Sequence, residues 1–125
     1  MTENTFVVKL SDGSDILAGL EKFAKENNIG YGTFVSGCGK LKNFELISHE
    51  KSAGIGKMKY DKEFELEAVS GKMQMDKNGK VTTNIRVSIT SSGFTPKAGQ
   101  LISGKASKGL EISIRKMGSK KMIEA

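Results

Sequence analysis

The sequence predicts a mixed α and β domain in which one principal helix accompanies several strands. Three observations carry that reading. Apolar residues between Ser14 and Asn28 recur at helical spacing. Short runs elsewhere alternate apolar and polar residues, the period of a strand. Phe64 to Met75 and Val81 to Thr90 flank Asp76-Lys77-Asn78-Gly79-Lys80, a strong hairpin signal.

Thr5 to Leu10 is the first strand, with Phe6, Val8 and Leu10 on one face. Asp12-Gly13 breaks it. Ser14 is placed to cap the helix that follows, and Asp15 stands in its first turn, where a negative charge suits the helix dipole. Ile16, Leu17, Leu20, Phe23 and Ala24 form one apolar stripe. The helix ends near Asn27-Asn28, because Asn tolerates the left-handed conformation that helix ends often need.

Gly30 to Ser36 reads as a second strand entering the tight loop Gly37-Cys38-Gly39. A small residue is wanted where backbone bends sharply, so Cys38 is expected to pack there. Leu41 to Ser48 alternates through Phe44, Leu46 and Ser48 as a further strand. Lys51 to Gly56 reads as a polar loop and Lys57 to Tyr60 as a weak strand.

The hairpin register follows from matching its faces. A two-residue Asn78-Gly79 turn would set Ile85 against Lys72 and Val87 against Ser70. A three-residue Lys77-Asn78-Gly79 loop instead pairs Met75 with Val81, Met73 with Thr83 and Val69 with Val87, setting apolar residues together. Under that register Phe64, Leu66 and Ala68 fall on the other face, beside Asn84, Arg86 and Ser88. Both faces of the ribbon are then partly apolar, and an identical subunit is the simplest cover for the second. Lys97-Ala98-Gly99-Gln100-Leu101 reads as a loop, Leu110 to Lys116 as the closing strand, and residues after Met117 as a frayed basic tail.

A chain of 125 residues is one domain by size, with a single modest core. It shows no secretory leader and no apolar run approaching about 18 residues, so it is expected to be soluble, not exported and without a membrane partner. One cysteine excludes an intrachain disulfide framework and fits a reducing cytoplasm.

The net charge of +6 is uneven: residues 1–62 carry 9 Lys and Arg against 8 Asp and Glu, residues 63–125 carry 11 against 6. The excess lies toward the C-terminus, in Lys97, Lys105, Lys108, Arg115, Lys116, Lys120 and Lys121. A basic patch attracts phosphate backbones through counterion release, without sequence choice. A merely solubilising surface is the alternative. Only 2 of the 20 basic residues are Arg, the better residue for bidentate recognition.

No HExxH, CxxC, Walker loop, GxSxG or EF-hand loop is present. His49, the only histidine, sits in the polar run Ser48-His49-Glu50-Lys51 and reads as a surface residue. Gly37-Cys38-Gly39 does not open a helix and is too short for a phosphate-binding fingerprint. Met73 and Met75 share a strand face and read as core. No catalytic residue, metal ligand or cofactor is assigned. Asn84 and Arg86 occupy the polar face of a strand otherwise rich in β-branched residues. An Arg on a central strand is costly unless paired. It either bridges to a carboxylate of its own or another subunit, or anchors an anionic ligand.

The order of these elements resembles the PPC (plant and prokaryote conserved) domain, which plant AT-hook proteins carry after their DNA-binding hooks. The resemblance rests on Phe6-Val7-Val8-Lys9-Leu10 with Asp12-Gly13-Ser14-Asp15-Ile16, Leu20 to Phe23, and Val35-Ser36-Gly37-Cys38-Gly39. Phe64 to Gly71, Asn84 to Ile89, Ala98-Gly99-Gln100-Leu101 and Leu110-Glu111-Ile112 complete it. It implies an α/β (α+β) fold, a mainly antiparallel β-sheet with one packed helix, assembled as a homotrimer. A single domain is expected over residues 1–117, with a basic tail at 118–125.

Many prokaryotic members carry His-x-His where this chain has Asn84-Ile85-Arg86, and Gly-Gly-His-Leu where it has Ala98-Gly99-Gln100-Leu101. Those imidazoles would suit a transition metal, but none is present here. The same location is expected to hold a polar or anion-binding pocket of Asn84, Arg86 and Gln100 with Gly99, or to serve subunit packing alone. The AT-hook core is also absent, so only the basic stretch keeps nucleic acid open, through Lys97, Lys105, Lys108, Lys116, Lys120 and Lys121.

Two functions are therefore expected. One is a non-enzymatic, homotrimeric, DNA-associated or regulatory module making non-specific backbone contacts. The other is a small-molecule binding protein, or an enzyme of unassigned reaction, with its pocket at a subunit boundary.

Overall fold

The ribbon of Phe64–Met75 and Val81–Ser91 is the spine of the molecule, and its register is the one that matches apolar to apolar. Met75 lies opposite Val81, Met73 opposite Thr83 and Val69 opposite Val87. The computed structural model describes residues 4–50, 54–91 and 94–117. Among them the chain runs β1 (Thr5–Leu10), α1 (Ile16–Glu26), β2 (Tyr31–Cys38), β3 (Lys40–Glu50), β4 (Gly54–Tyr60), β5 (Phe64–Met75), β6 (Val81–Ser91), β7 (Phe94–Ala106) and β8 (Leu110–Lys116).

All strand pairings are antiparallel, in the order β1-β8-β2-β5-β6-β7-β3-β4. The long β5 has two partners on its second edge. Its C-terminal half pairs with β2 at Lys72 to Gln74, and its first residues pair with β3 at Phe64 and Glu65. The pairings β5–β6–β7–β3–β5 thus close on themselves, and inward side chains of that ring form the core. Phe44, Leu41, Leu46, Leu66, Ile89 and Leu101 are buried there, and Phe44, Tyr60 and Phe64 pack at ring separations of 5.0–5.6 Å.

The helix buries Ile16, Leu20 and Ala24, as its stripe demands, and half-buries Leu17 and Phe23. Burying one such Leu or Ile is worth about 1.5–3 kcal/mol. The cap is Asp15, one residue later than expected: its carboxylate accepts from the Ala18 amide at 2.9 Å. Ser14 turns back instead, its hydroxyl donating to the Ser11 carbonyl at 2.6 Å. At the other end Asn28 takes φ 51°, the left-handed residue the sequence provides.

The remaining differences have local causes. A bulge between Leu66 and Ala68 shifts the β5–β6 register by one residue, turning Phe64 and Leu66 into the core while Ala68 stays outside opposite Ser88. The expected second apolar face therefore shrinks to small residues. Residues 97–101 are strand, not loop. Gly99 permits this, because a Cβ there would stand 2.7 Å from the Ile47 carbonyl oxygen of β3. Gly54 to Gly56, expected in a loop, pair with β3. Cys38 is exposed rather than packed, since β2 alternation carries it to the outer face with Ser36 and the sharp bend falls on Gly39, at φ 98°. His49 lies in β3 opposite Ile55, and its side chain is outside those described, as are the tail residues 118–125.

Candidate functional site

Strand β6 alternates strictly enough to fix which way its polar residues point. Ile85, Val87 and Ile89 are buried, so Asn84, Arg86 and Ser88 face outward, away from the core. On the flanking strands Arg86 stands opposite Ser70 of β5 and Gln100 of β7, and Asn84 stands opposite Lys72. Asn84, Arg86 and Gln100 are thus neighbours on one face. Gly99 is not on it. It points inward opposite Val87 and is buried, so it shapes the site by letting β3 close on β7.

Around Arg86 the outward residues are small. Ala68, Ser70, Ser88 and Ala98 line with it a depression of about 150 Å³ to which Val69 and Val87 also contribute. Arg86 is exposed, and among the described residues it forms no ion pair. What the arrangement can do is offer a planar cation and the Ser70 and Ser88 hydroxyls to an anion.

A transition metal does not fit here. A guanidinium offers no acceptor atom to a metal, and the amides of Asn84 and Gln100 are poor donors for such ions. Among the described residues no three His, Cys, Asp or Glu gather as a metal cluster.

The basic residues singled out for nucleic acid do not converge. Lys105 stands opposite Lys42 near one end of the sheet, and Lys108 occupies the turn before β8. Lys116 closes β8, about 20 Å away at the rise of a strand, and Lys97, half-buried opposite Ile89, lies about 27 Å along β7 from Lys105. Lys120 and Lys121 lie outside the described residues.

At the Lys105–Lys108 end the neighbouring Lys40 and Lys42 are paired with carboxylates. Lys42 bridges Asp12 at 2.8 Å, and Lys40 lies 3.5 Å from Glu63. The hydrogen bond from Lys42, with the charges of Lys42 and Lys108, holds the Asp12 carboxyl below its ordinary range. A hydrogen bond from the Ser107 hydroxyl, helped by Lys40 and Lys108, does the same for Glu63.

Sequence reasoning did not single out Ser70 and Lys72, although the hairpin register places both beside Arg86 and Asn84. Ala68 and Ala98, whose smallness makes the depression, carry no chemical signal of their own.

The model of the Plants and Prokaryotes Conserved (PCC) domain matches residues 1–117. No curated protein matches the chain. Among solved structures, a plant- and prokaryote-conserved protein of Pyrococcus horikoshii superposes with a TM-score of 0.76 at 19% identity, covering 93% of this chain and 80% of its own. A metal-containing protein of Archaeoglobus fulgidus gives 0.76 at 20% identity, covering 93% and 81%. A putative DNA-binding protein of Bacteroides thetaiotaomicron gives 0.77 at 20%, covering 97% and 83%. At these identities the likeness shows the fold: a mostly antiparallel sheet with one helix. Among the described residues no helix is long and apolar enough to cross a membrane.

Proposed function

We propose, from the premise that this chain belongs to the Plants and Prokaryotes Conserved domain family, that it is a non-enzymatic binding module for an anionic ligand of phosphate type held at Arg86. The observation that carries this reading is an exposed guanidinium with no carboxylate partner among the described residues, beside a depression lined by small and hydroxyl-bearing residues. An exposed cation of this kind gains little from its own chain, and a bidentate oxyanion is the partner whose geometry it matches.

The reading includes a homotrimer with this site at a subunit boundary. Exposed Val7 and Val35, at 55% and 53% of their full accessibility, and the small residues of the outer face support such a contact. The test pairs affinity with assembly. Arg86→Ala should abolish binding of inorganic phosphate, followed by amide NMR, while light scattering shows the assembly unchanged. Dissociation of the assembly with phosphate binding retained would make Arg86 a structural residue.

A second reading, non-specific contact with a nucleic acid backbone, draws support from the net charge of +6 and from the description of the Bacteroides neighbour. Fluorescence anisotropy on AT-rich and mixed duplexes at low and physiological salt tests it. Equal affinity for both, falling steeply with salt, is its signature. Absence of binding at low salt would retire it.

A further inference from the structure

Arg86 is not the only cation on its face. Across the sheet, Arg115 of β8 lies opposite Thr33 of β2, Thr33 opposite Lys72 of β5, and Lys72 opposite Asn84. Arg86 is two residues beyond Asn84 on the same side. Both arginines of the chain therefore share this face with Lys72, and all three are exposed.

At the usual strand spacing Lys72 stands about 10 Å from Arg115, and as a diagonal cross-strand neighbour about 7–8 Å from Arg86. The positions between them hold Thr33, Ser70, Asn84 and Ser113, all neutral. Among the described residues none of the three cations forms an ion pair. Like charges so placed repel one another, and among the described residues no carboxylate pairs with them. The cluster is also bounded. Along the same face β8 reaches Glu111, and β5 begins with Glu65 and Glu67. A long polyanion laid over the cations would run onto these carboxylates.

We infer that the occupant is a compact bisphosphate: a small molecule with one phosphate in the Arg86 depression and a second held between Lys72 and Arg115. The inference rests on the reading of Arg86 as a phosphate anchor, and adds the ligand class.

Calorimetric titration of the full chain tests it with three probes: adenosine monophosphate, adenosine bearing one phosphate at each end of its ribose, and a thymidine oligonucleotide. The bisphosphate should bind at least roughly tenfold more tightly than the monophosphate, the scale of one added charge-assisted contact. Lys72→Gln and Arg115→Gln should each remove about that factor for the bisphosphate and leave the monophosphate unchanged, whereas Arg86→Gln should weaken both. Circular dichroism checks that these surface variants fold.

If the Lys72 and Arg115 variants bind bisphosphate like the parent while Arg86→Gln does not, the inference is overturned and the Arg86 reading stands. If Arg86→Gln retains both nucleotides, the Arg86 reading itself fails. Tighter binding of the oligonucleotide than of the bisphosphate overturns the compact ligand. So does a change of oligomeric state without a change of affinity, which would assign the cations to an interface.

Discussion

At one end of the sheet Lys40, Lys42 and Lys108 stand among Asp12 and Glu63, whereas on the outer face Arg86, Lys72 and Arg115 stand among serine, threonine and asparagine. The first group includes part of the basic C-terminal stretch that the sequence brings forward as a nucleic-acid patch. There Lys40 and Lys42 pair with Glu63 and Asp12, and the charge of Lys108 acts on both carboxylates. The second group is scattered in sequence and gathered only by strand order. A count of basic residues thus identifies neither region. What distinguishes them, among the described residues, is whether lysines are paired with carboxylates, and the region without such a pair is the one proposed to hold a ligand.

The largest effect expected in either region comes from disturbing the scaffold of the outer face. Gly71 lies between Ser70 and Lys72 at φ 121°, and a Cβ there would meet the Asn84 carbonyl oxygen at 2.0 Å. Gly71→Ala should cost about 2–4 kcal/mol, from combined strain and overpacking, measured by urea denaturation. A smaller cost would mean that the two rows of the site are less rigidly joined than their register implies.

Next comes the contrast itself. Arg86→Gln should weaken phosphate binding by roughly tenfold or more while leaving the melting temperature unchanged or slightly raised, because it relieves the repulsion with Lys72. Lys42→Gln should do the reverse, leaving phosphate binding intact and lowering stability slightly, as expected for a surface ion pair.

Acid separates the regions in the same sense. Asp12 and Glu63 have folded-state pKa values below their unfolded ones. Their contribution is complete above the ordinary carboxylate range, at about pH 4, and is lost as pH falls through the lowered folded values. Thermal melts should show stability that declines as pH falls below that range, and Lys42→Gln should flatten the decline. The smallest effect is expected from Lys105→Gln with Lys108→Gln, which should leave phosphate affinity where it is.

Much of this was legible in the chain, and the exceptions are instructive. The hairpin register could be read because only one loop length sets Val69 against Val87. The bulge after Leu66 was harder to see. Its trace is a change of phase, since Phe64 and Leu66 keep one alternation and Val69 and Met73 another. Gly99 suggested a loop because a strand gains nothing locally from glycine, and its reason lies in β3, more than fifty residues earlier in the sequence. At the site, Asn84 and Arg86 announced themselves as polar residues on a β-branched strand. Lys72 was implicit in the register. Arg115 was not legible at all, because its place depends on β8 inserting between β1 and β2, a pairing that no local pattern encodes.

The most direct test of the account is an amide NMR titration of the intact chain with inorganic phosphate, mapping which residues respond. The prediction is saturable shifts confined to Ser70, Arg86, Ser88, Ala98 and their neighbours, absent in Arg86→Gln. Shifts centred instead on Lys105 and Lys108, or unaltered by that substitution, would contradict it and return the charge of this molecule to its C-terminal stretch.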